Sequence, residues 1–191
     1  IVVCAEKMSS MVNYEDRATC PLFGDGAAAV LMEPTEEPVG FVDGVFHVDG
    51  SGLEHLVYKA GGSAHPTTHE TVDAKENCLY QEGRAVYKSA VMDMFNSSKE
   101  VMERNNLKIE DVKWFVPHQA NLRIIEAVGS RLGLSEEQVL VNIQKVGNTS
   151  AASSPICLDH NKGKLKKGDK IVLTAFGAGF TWGASYLIWG M

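Results

Sequence analysis

The longest periodic stretch of the chain lies at residues 82–105, where Val86, Tyr87, Ala90, Val91, Met94, Phe95, Val101 and Met102 recur at spacings of one, three and four. That pattern predicts a helix with one broad apolar face, ended by Asn105-Asn106. A second helix is expected over 122–132, with Leu122, Ile125, Val128 and Leu132 on one face and Gly133 as its stop. Trp114-Phe115-Val116 reads as a short buried strand closed by Pro117. Ser135 with Gln138 has the form of a capping box, and residues 139–143 read as a further strand. Residues 41–48 alternate apolar and polar, and 170–176 and 182–189 are two apolar strands around Gly177-Ala178-Gly179. Residues 1–5 read as a buried strand, and Gly24-Asp25-Gly26 as a turn before a strand at 27–32. Gly147-Asn148-Thr149-Ser150 opens a helix rich in small residues, among them Ala151, Ala152, Ser153 and Ser154. Polar loops are expected at 7–20, 61–71 and 161–167. Strands alternating with helices give an α/β class, and no repeat is visible.

Composition narrows the class. The 191 residues are 45% hydrophobic and 22% charged, with 18 Gly and 6 Pro, which excludes disordered and collagen-like chains. The length suits one domain or two closely packed halves. No run approaches the roughly 18 consecutive apolar residues of a membrane helix. A net charge of −6 argues against a dedicated nucleic-acid binder. The four cysteines (Cys4, Cys20, Cys78, Cys157) show no CxxC and no regular spacing, so reduced thiols in a cytosolic protein are expected. The β-branched apolar run at the first residues looks like the middle of a strand, so the chain is expected to be part of a longer protein.

Three segments could carry chemistry. In Pro117-His118-Gln119-Ala120-Asn121, a His ends a buried strand just before a helix, the usual place for a site in an α/β sheet. The alternative is a core His satisfied by backbone. Asn148 in Gly147-Asn148-Thr149-Ser150 is either a functional amide or an N-cap. Phe176-Gly177-Ala178-Gly179-Phe180 either turns backbone N–H groups toward a cavity, where they could bind an oxyanion, or is simply a tight turn. Pro66 argues against metal binding by His65 and His69, and Gly24-Asp25-Gly26 lacks the setting of a nucleotide loop. Lys162, Lys164, Lys166 and Lys167 read as a solvated loop. Cys20 and Cys157 are the only candidates for a Cys-His-Asn nucleophile, and neither follows a strand into a helix.

Together, WFVPHQANLRI (114–124), VGNTSAAS (146–153) and AFGAGFTWG (175–183), with LFGDGAAAV (22–30) and LYQEGRAVY (79–87) in the same order, closely resemble β-ketoacyl-acyl-carrier-protein synthase III. The resemblance implies a thiolase-like, layered αβαβα fold with a mixed five-stranded sheet in this half. It places residues 1–34 at the end of an N-terminal half and 35–191 in the C-terminal half. It implies condensation of an acyl-CoA primer, expected to be acetyl-CoA, with malonyl-carrier protein, with no cofactor and no metal. His118 and Asn148 would be catalytic, and the Ala178 N–H would serve an oxyanion. Ala178 stands where many relatives carry Gly. Arg17, Leu22, Gly83, Tyr87, Ala120, Asn121 and Phe176 would contact substrate, and Gln119 and Arg123 would meet the acyl carrier protein. The nucleophilic Cys would lie upstream of these residues, so the chain alone is expected to be inactive. A bacterial, cytoplasmic, homodimeric parent is implied. The alternatives are a carrier-binding fragment without catalysis and another acyl-CoA condensing enzyme of the same fold.

Overall fold

The computed structural model describes residues 1–191. In chain order the strands are β1 (Val2–Lys7), β2 (Asp25–Val30), β3 (Gly40–Val48), β4 (Leu56–Val57), β5 (Tyr80–Gln81), β6 (Trp114–Pro117), β7 (Lys170–Gly177) and β8 (Thr181–Ile188). The helices are α1 (His69–Asp73), α2 (Gly83–Arg104), α3 (Leu122–Leu132), α4 (Ile143–Val146) and α5 (Ser153–Asn161). The main sheet runs β3-β8-β7-β6; β6 and β7 are parallel and the other pairs antiparallel. β1 and β2 form a separate antiparallel ribbon, and β4 and β5 a shorter one.

The expected periodicities produce the expected elements. α2 buries Val86, Ala90, Val91, Met94, Val101 and Met102. The buried Ser97 and Ser98 on the same face return their hydroxyls to carbonyls one turn back. At its end, Asn105 Nδ2 donates to Asp43 Oδ2 (2.9 Å) and Arg104 to Asp43 Oδ1 (3.0 Å), fastening α2 to β3. α3 starts at Asn121, whose side chain accepts from Arg123 N–H (2.9 Å), and stops at Gly133 in the left-handed region (φ 80°).

β6 is buried along its whole length. Phe115 packs with α2 and α3, while Trp114 and Val116 face the second core with Cys157 of α5. The layers are therefore α2 and α3, the main sheet, α5, and the β1–β2 ribbon against α5. These four layers, α-β-α-β, are all but one of the five in the thiolase-like αβαβα arrangement that the resemblance implied. α5 lies between two sheets, which explains its run of small residues: Ala152 and Ser153 at its start are 0% and 1% exposed.

Four expectations need correction. The sheet has four laddered strands rather than five. Residues 139–143 touch β6 through one bridge, Phe115–Val139, with Leu140 N–H donating to the Phe115 carbonyl (2.9 Å). Beyond that point the buried Gln119 side chain takes the place of the ladder. Its Nε2 donates to the Pro117 and Leu140 carbonyls, and its Oε1 accepts from the Asn142 and Ile143 N–H groups. Second, Gly24-Asp25-Gly26 is not a turn, since β2 starts at Asp25. The glycines are needed for close approach: a Cβ on Gly24 would stand 2.0 Å from the Val146 carbonyl oxygen. Third, β1 forms but is not buried, since Val2 and Val3 are 54% and 66% exposed. Fourth, the helix expected from Gly147 becomes a 3-10 turn at Ser150–Ala152 before α5.

Two outcomes are expected. Gln119→Leu keeps the volume but strands the Asn142 and Ile143 N–H groups, and should cost about 2–4 kcal/mol in urea denaturation; a loss below ~1 kcal/mol would mean that other acceptors reach them. The exposed Val2, Val3, Leu31, Met32, Phe46 and Val48 should drive association of the isolated chain in light scattering. A monodisperse monomer would count against an association role for these faces.

Candidate active site

His118 directly follows β6, at the C-terminal end of the parallel β6–β7 pair, and its backbone N–H donates to the Thr174 carbonyl of β7 (2.7 Å). Its Nδ1 lies 2.6 Å from the Oγ of Ser153, the first residue of α5. The same oxygen accepts from the Gln119 N–H at 3.3 Å. A hydroxyl has one proton to give. With its oxygen already accepting, the arrangement that uses every group has Ser153 donating to Nδ1. The ring proton then sits on Nε2, which becomes a donor. Burial pushes the imidazole down to about 4, so the ring is neutral at neutral pH.

Asn148 is held from both sides by β2's approach. Its N–H donates to the Leu22 carbonyl (2.8 Å), and its carbonyl accepts from the Gly24 N–H (3.0 Å). Its side-chain Oδ1 accepts from the Ser150 N–H (2.9 Å). A backbone N–H can bond only the oxygen of that amide, so the NH₂ end is the one left to donate. Ser150 takes a left-handed φ of 50°, a conformation that costs a non-glycine residue about 1–3 kcal/mol.

His118 and Asn148 line one cavity of about 570 Å³, together with the predicted Leu22, Gly83, Tyr87, Ala120, Asn121, Arg123 and Phe176. That volume suits a small ligand or a flexible arm. Phe176 packs on Phe180 at 4.8 Å between ring centroids, and Arg123 lies 5.6 Å over the Tyr87 ring. Asn121 lends its side-chain oxygen to the α3 cap, so its NH₂ group is what remains for a ligand. A second cavity of about 630 Å³ also reaches His118 and Phe176, with Ser150, Ser153 and Trp182 in its wall. His118 thus stands in the partition between two cavities.

Three predicted residues lie elsewhere. Gln119 is 0% exposed with its amide fully committed, so it cannot meet a carrier protein; its role is to hold the chain around the site. Ala178 stands in the exposed β7–β8 turn, outside both cavity walls, its carbonyl accepting from the Thr181 hydroxyl (2.9 Å). Arg17 is exposed and does not line the cavity, although its neighbours Ala18 and Thr19 do. None of the four cysteines lines either cavity, and burial pushes the Cys157 thiol up to about 12. Sequence reasoning passed over Ser153 as one more small residue. It also passed over Arg84, which lines the cavity mouth from the first turn of α2. A cation in the first turn opposes the helix dipole, and that placement was the signal that could have found it.

Comparison with known proteins gives the family. Residues 1–50 match the family described as 3-Oxoacyl-(acyl-carrier-protein) synthase III, and residues 102–189 match its C-terminal counterpart. The beta-ketoacyl-(acyl-carrier-protein) synthase III of Porphyromonas gingivalis is 60% identical over 189 residues, covering 99% of this chain and 56% of that protein. Synthase III 2 of Bacteroides thetaiotaomicron is 57% identical over 190 residues, covering 57% of its length. The crystal structure of 3-oxoacyl-(acyl carrier protein) synthase III from Pseudomonas aeruginosa superposes with a TM-score of 0.89 at 35% identity, over 99% of this chain and 58% of that one. The chain therefore spans a little over half the length of the relatives it matches.

A pH dependence follows from the neutral His118. Its pKa in the fold, about 4, lies below its ordinary value of 6.5, so between those values the unfolded chain binds the proton and the folded one does not. Stability from this group is complete above about pH 6.5 and is lost as pH falls toward 4. In urea titrations across that window, His118→Gln should show a shallower loss than the unaltered chain. Equal slopes would mean that His118 titrates normally.

Proposed function

The chain belongs to the 3-oxoacyl-(acyl-carrier-protein) synthase III family, and on that premise we propose that it supplies the decarboxylating half of a condensing enzyme that starts fatty-acid synthesis. The carrying observation is that His118 and Asn148 line one cavity with one polar atom of each already engaged, Nδ1 by the Ser153 hydroxyl and Oδ1 by the Ser150 N–H, which leaves Nε2 and the NH₂ group to act as neutral donors.

The chemistry follows from that pair. A malonyl thioester entering the cavity places its thioester oxygen against both donors. As the C–C bond to the carboxylate breaks, CO₂ leaves and its electron pair becomes an enolate whose negative charge sits largely on that oxygen. Donors already in place stabilise this charge without reorganising, and each is worth about 3–4 kcal/mol in a dry site. A protonated imidazole would bind the malonyl carboxylate and hold it back; a neutral one favours only the charge that develops. The enolate carbon then attacks an acyl thioester. The tetrahedral oxyanion collapses, expelling the Cys thiolate and leaving a 3-oxoacyl thioester on the carrier.

In this reading the acyl group, with acetyl-CoA as the expected primer donor, rides on a cysteine outside these 191 residues. The positions of Cys4, Cys20, Cys78 and Cys157 away from both cavities support that assignment. Residues 1–34 would then close an N-terminal half, and 35–191 form the half that carries His118 and Asn148. The second cavity beside His118 is where the acyl-cysteine would approach. Leu22, Gly83, Tyr87, Ala120, Asn121 and Phe176 would hold the pantetheine arm and acyl end. Arg17 and Arg84 suit phosphate near the mouth, and Arg123 an acidic carrier protein. The Ala178 N–H would serve the second oxyanion only once other residues complete that wall. A homodimeric, cytoplasmic parent belongs to the same proposal.

The test is malonyl-carrier decarboxylation and full condensation by the complete enzyme. His118→Ala and Asn148→Ala should each lower decarboxylation by about 10²–10³. Arg123→Glu should raise KM for malonyl-carrier protein and leave malonyl-CoA almost unaffected. Carrier binding with no turnover, even in the complete enzyme, would establish a docking fragment instead. Loss of activity on alkylating Cys20 or Cys157 would establish a nucleophile within this chain.

A further inference from the structure

Ser153 is almost wholly buried, 1% exposed, at the first position of α5. The N-cap position of this helix is Ala152, one residue earlier, so the Ser153 hydroxyl is not engaged in capping. Its hydroxyl instead reaches across to the strand end, 2.6 Å from His118 Nδ1 and 3.3 Å from the Gln119 N–H. The adjoining Ala152 is 0% exposed and carries only a methyl group. What serine adds at the next position is a polar group, and both of its partners lie in the His118-Gln119 dipeptide.

A neutral imidazole exchanges between two tautomers, and the bond made by one nitrogen decides which form the other presents. Here the Gln119 N–H takes one of the two lone pairs of Ser153 Oγ, and the hydroxyl proton meets no acceptor other than Nδ1, so the bond runs from the serine to the ring. From this geometry we propose that Ser153 is a positioning residue that selects the Nε2–H tautomer of His118. Without that selection a fraction of the rings would turn a lone pair toward the cavity. A lone pair there repels a developing enolate oxygen, so those molecules would bind substrate and fail to decarboxylate it. Gln119 contributes from the same place: its backbone N–H orients the serine while its side chain holds residues 140–143. This inference rests on the decarboxylating role proposed for His118, but the tautomer itself does not.

The experiment is long-range ¹H–¹⁵N correlation on the complete enzyme labelled with ¹⁵N-histidine, with His118 assigned by the His118→Gln variant. The unaltered protein should show one tautomer, protonated at Nε2. Ser153→Ala should show Nδ1–H signal or averaged shifts, and its kcat for malonyl decarboxylation should fall roughly 10- to 100-fold with KM within about twofold. Ser153→Cys, a weaker donor of similar size, should lie between the two. An Nδ1–H ring in the unaltered protein, or an unchanged Nε2–H ring in Ser153→Ala, would overturn the proposal. Undiminished decarboxylation by His118→Ala would instead overturn the functional reading and leave the tautomer result standing.

Discussion

The buried amide of Gln119 is the constraint on which the rest of the site depends. A side-chain amide with no access to water must find partners for both its ends, and an orphaned group there costs about 1–3 kcal/mol. Gln119 finds them in Pro117 and Leu140 on one side and Asn142 and Ile143 on the other. The bonds tie the end of β6 to the segment that runs on to Asn148. His118 precedes the amide directly in the chain, so its backbone is fixed between β7 and this junction. The two functional side chains come from segments 30 residues apart, and one buried residue sets the relation between them.

The two donors are aimed by different means, and the difference follows from their chemistry. Asn148 needs only one bond at its oxygen, which the Ser150 N–H supplies from a left-handed backbone. Strain of that sort persists where surrounding structure over-determines it. Here the surroundings are the Leu22 and Gly24 bonds on either side of the Asn148 peptide. His118 has two ring nitrogens and one proton, so orienting the ring is not enough; the proton must also be placed. Burial keeps the ring neutral and Ser153 places the proton, and the two effects are independent. A cation in the same position would hold substrate carboxylate as strongly as the transition state, and uniform binding of that kind does not speed the step.

Most of the fold was legible because it rests on local periodicity. The α2 face, the α3 start and stop, and the β7–β8 hairpin all obey rules written within a few residues. The failures share a different cause. Residues 139–143 have the composition of a strand, but a side chain twenty residues earlier takes the hydrogen bonds a ladder would have made. Gly24 and Gly26 carry a turn signal, yet they answer to the Val146 carbonyl and to Thr149 and Ile156 rather than to a reversal of the chain. At the site, the motifs offered His118 and Asn148 as candidates, and both line the cavity. Ser153 was not legible, because a serine beside Ala152 in a small-residue helix carries no local mark of its partner 35 residues away. Gln119 was misread for a related reason. Its neighbours in the motif face a cavity, and only the strand geometry turns it inward.

The placement of α5 joins these observations. It lies between the main sheet and the β1–β2 ribbon, so both of its sides must be thin, and Ala152, Ser153 and Cys157 meet that demand. The same thinness brings Ser153 within 2.6 Å of the His118 ring. A larger residue would push the helix from the strand end, and alanine would fit but place no proton. The ribbon acts on the other functional residue, since the chain entering β2 grips Asn148 through Leu22 and Gly24. Layer packing and donor placement are therefore one problem with one solution. The helix that fills the space between two sheets places the imidazole proton, and the segment leading into the ribbon that covers this helix holds the Asn148 backbone.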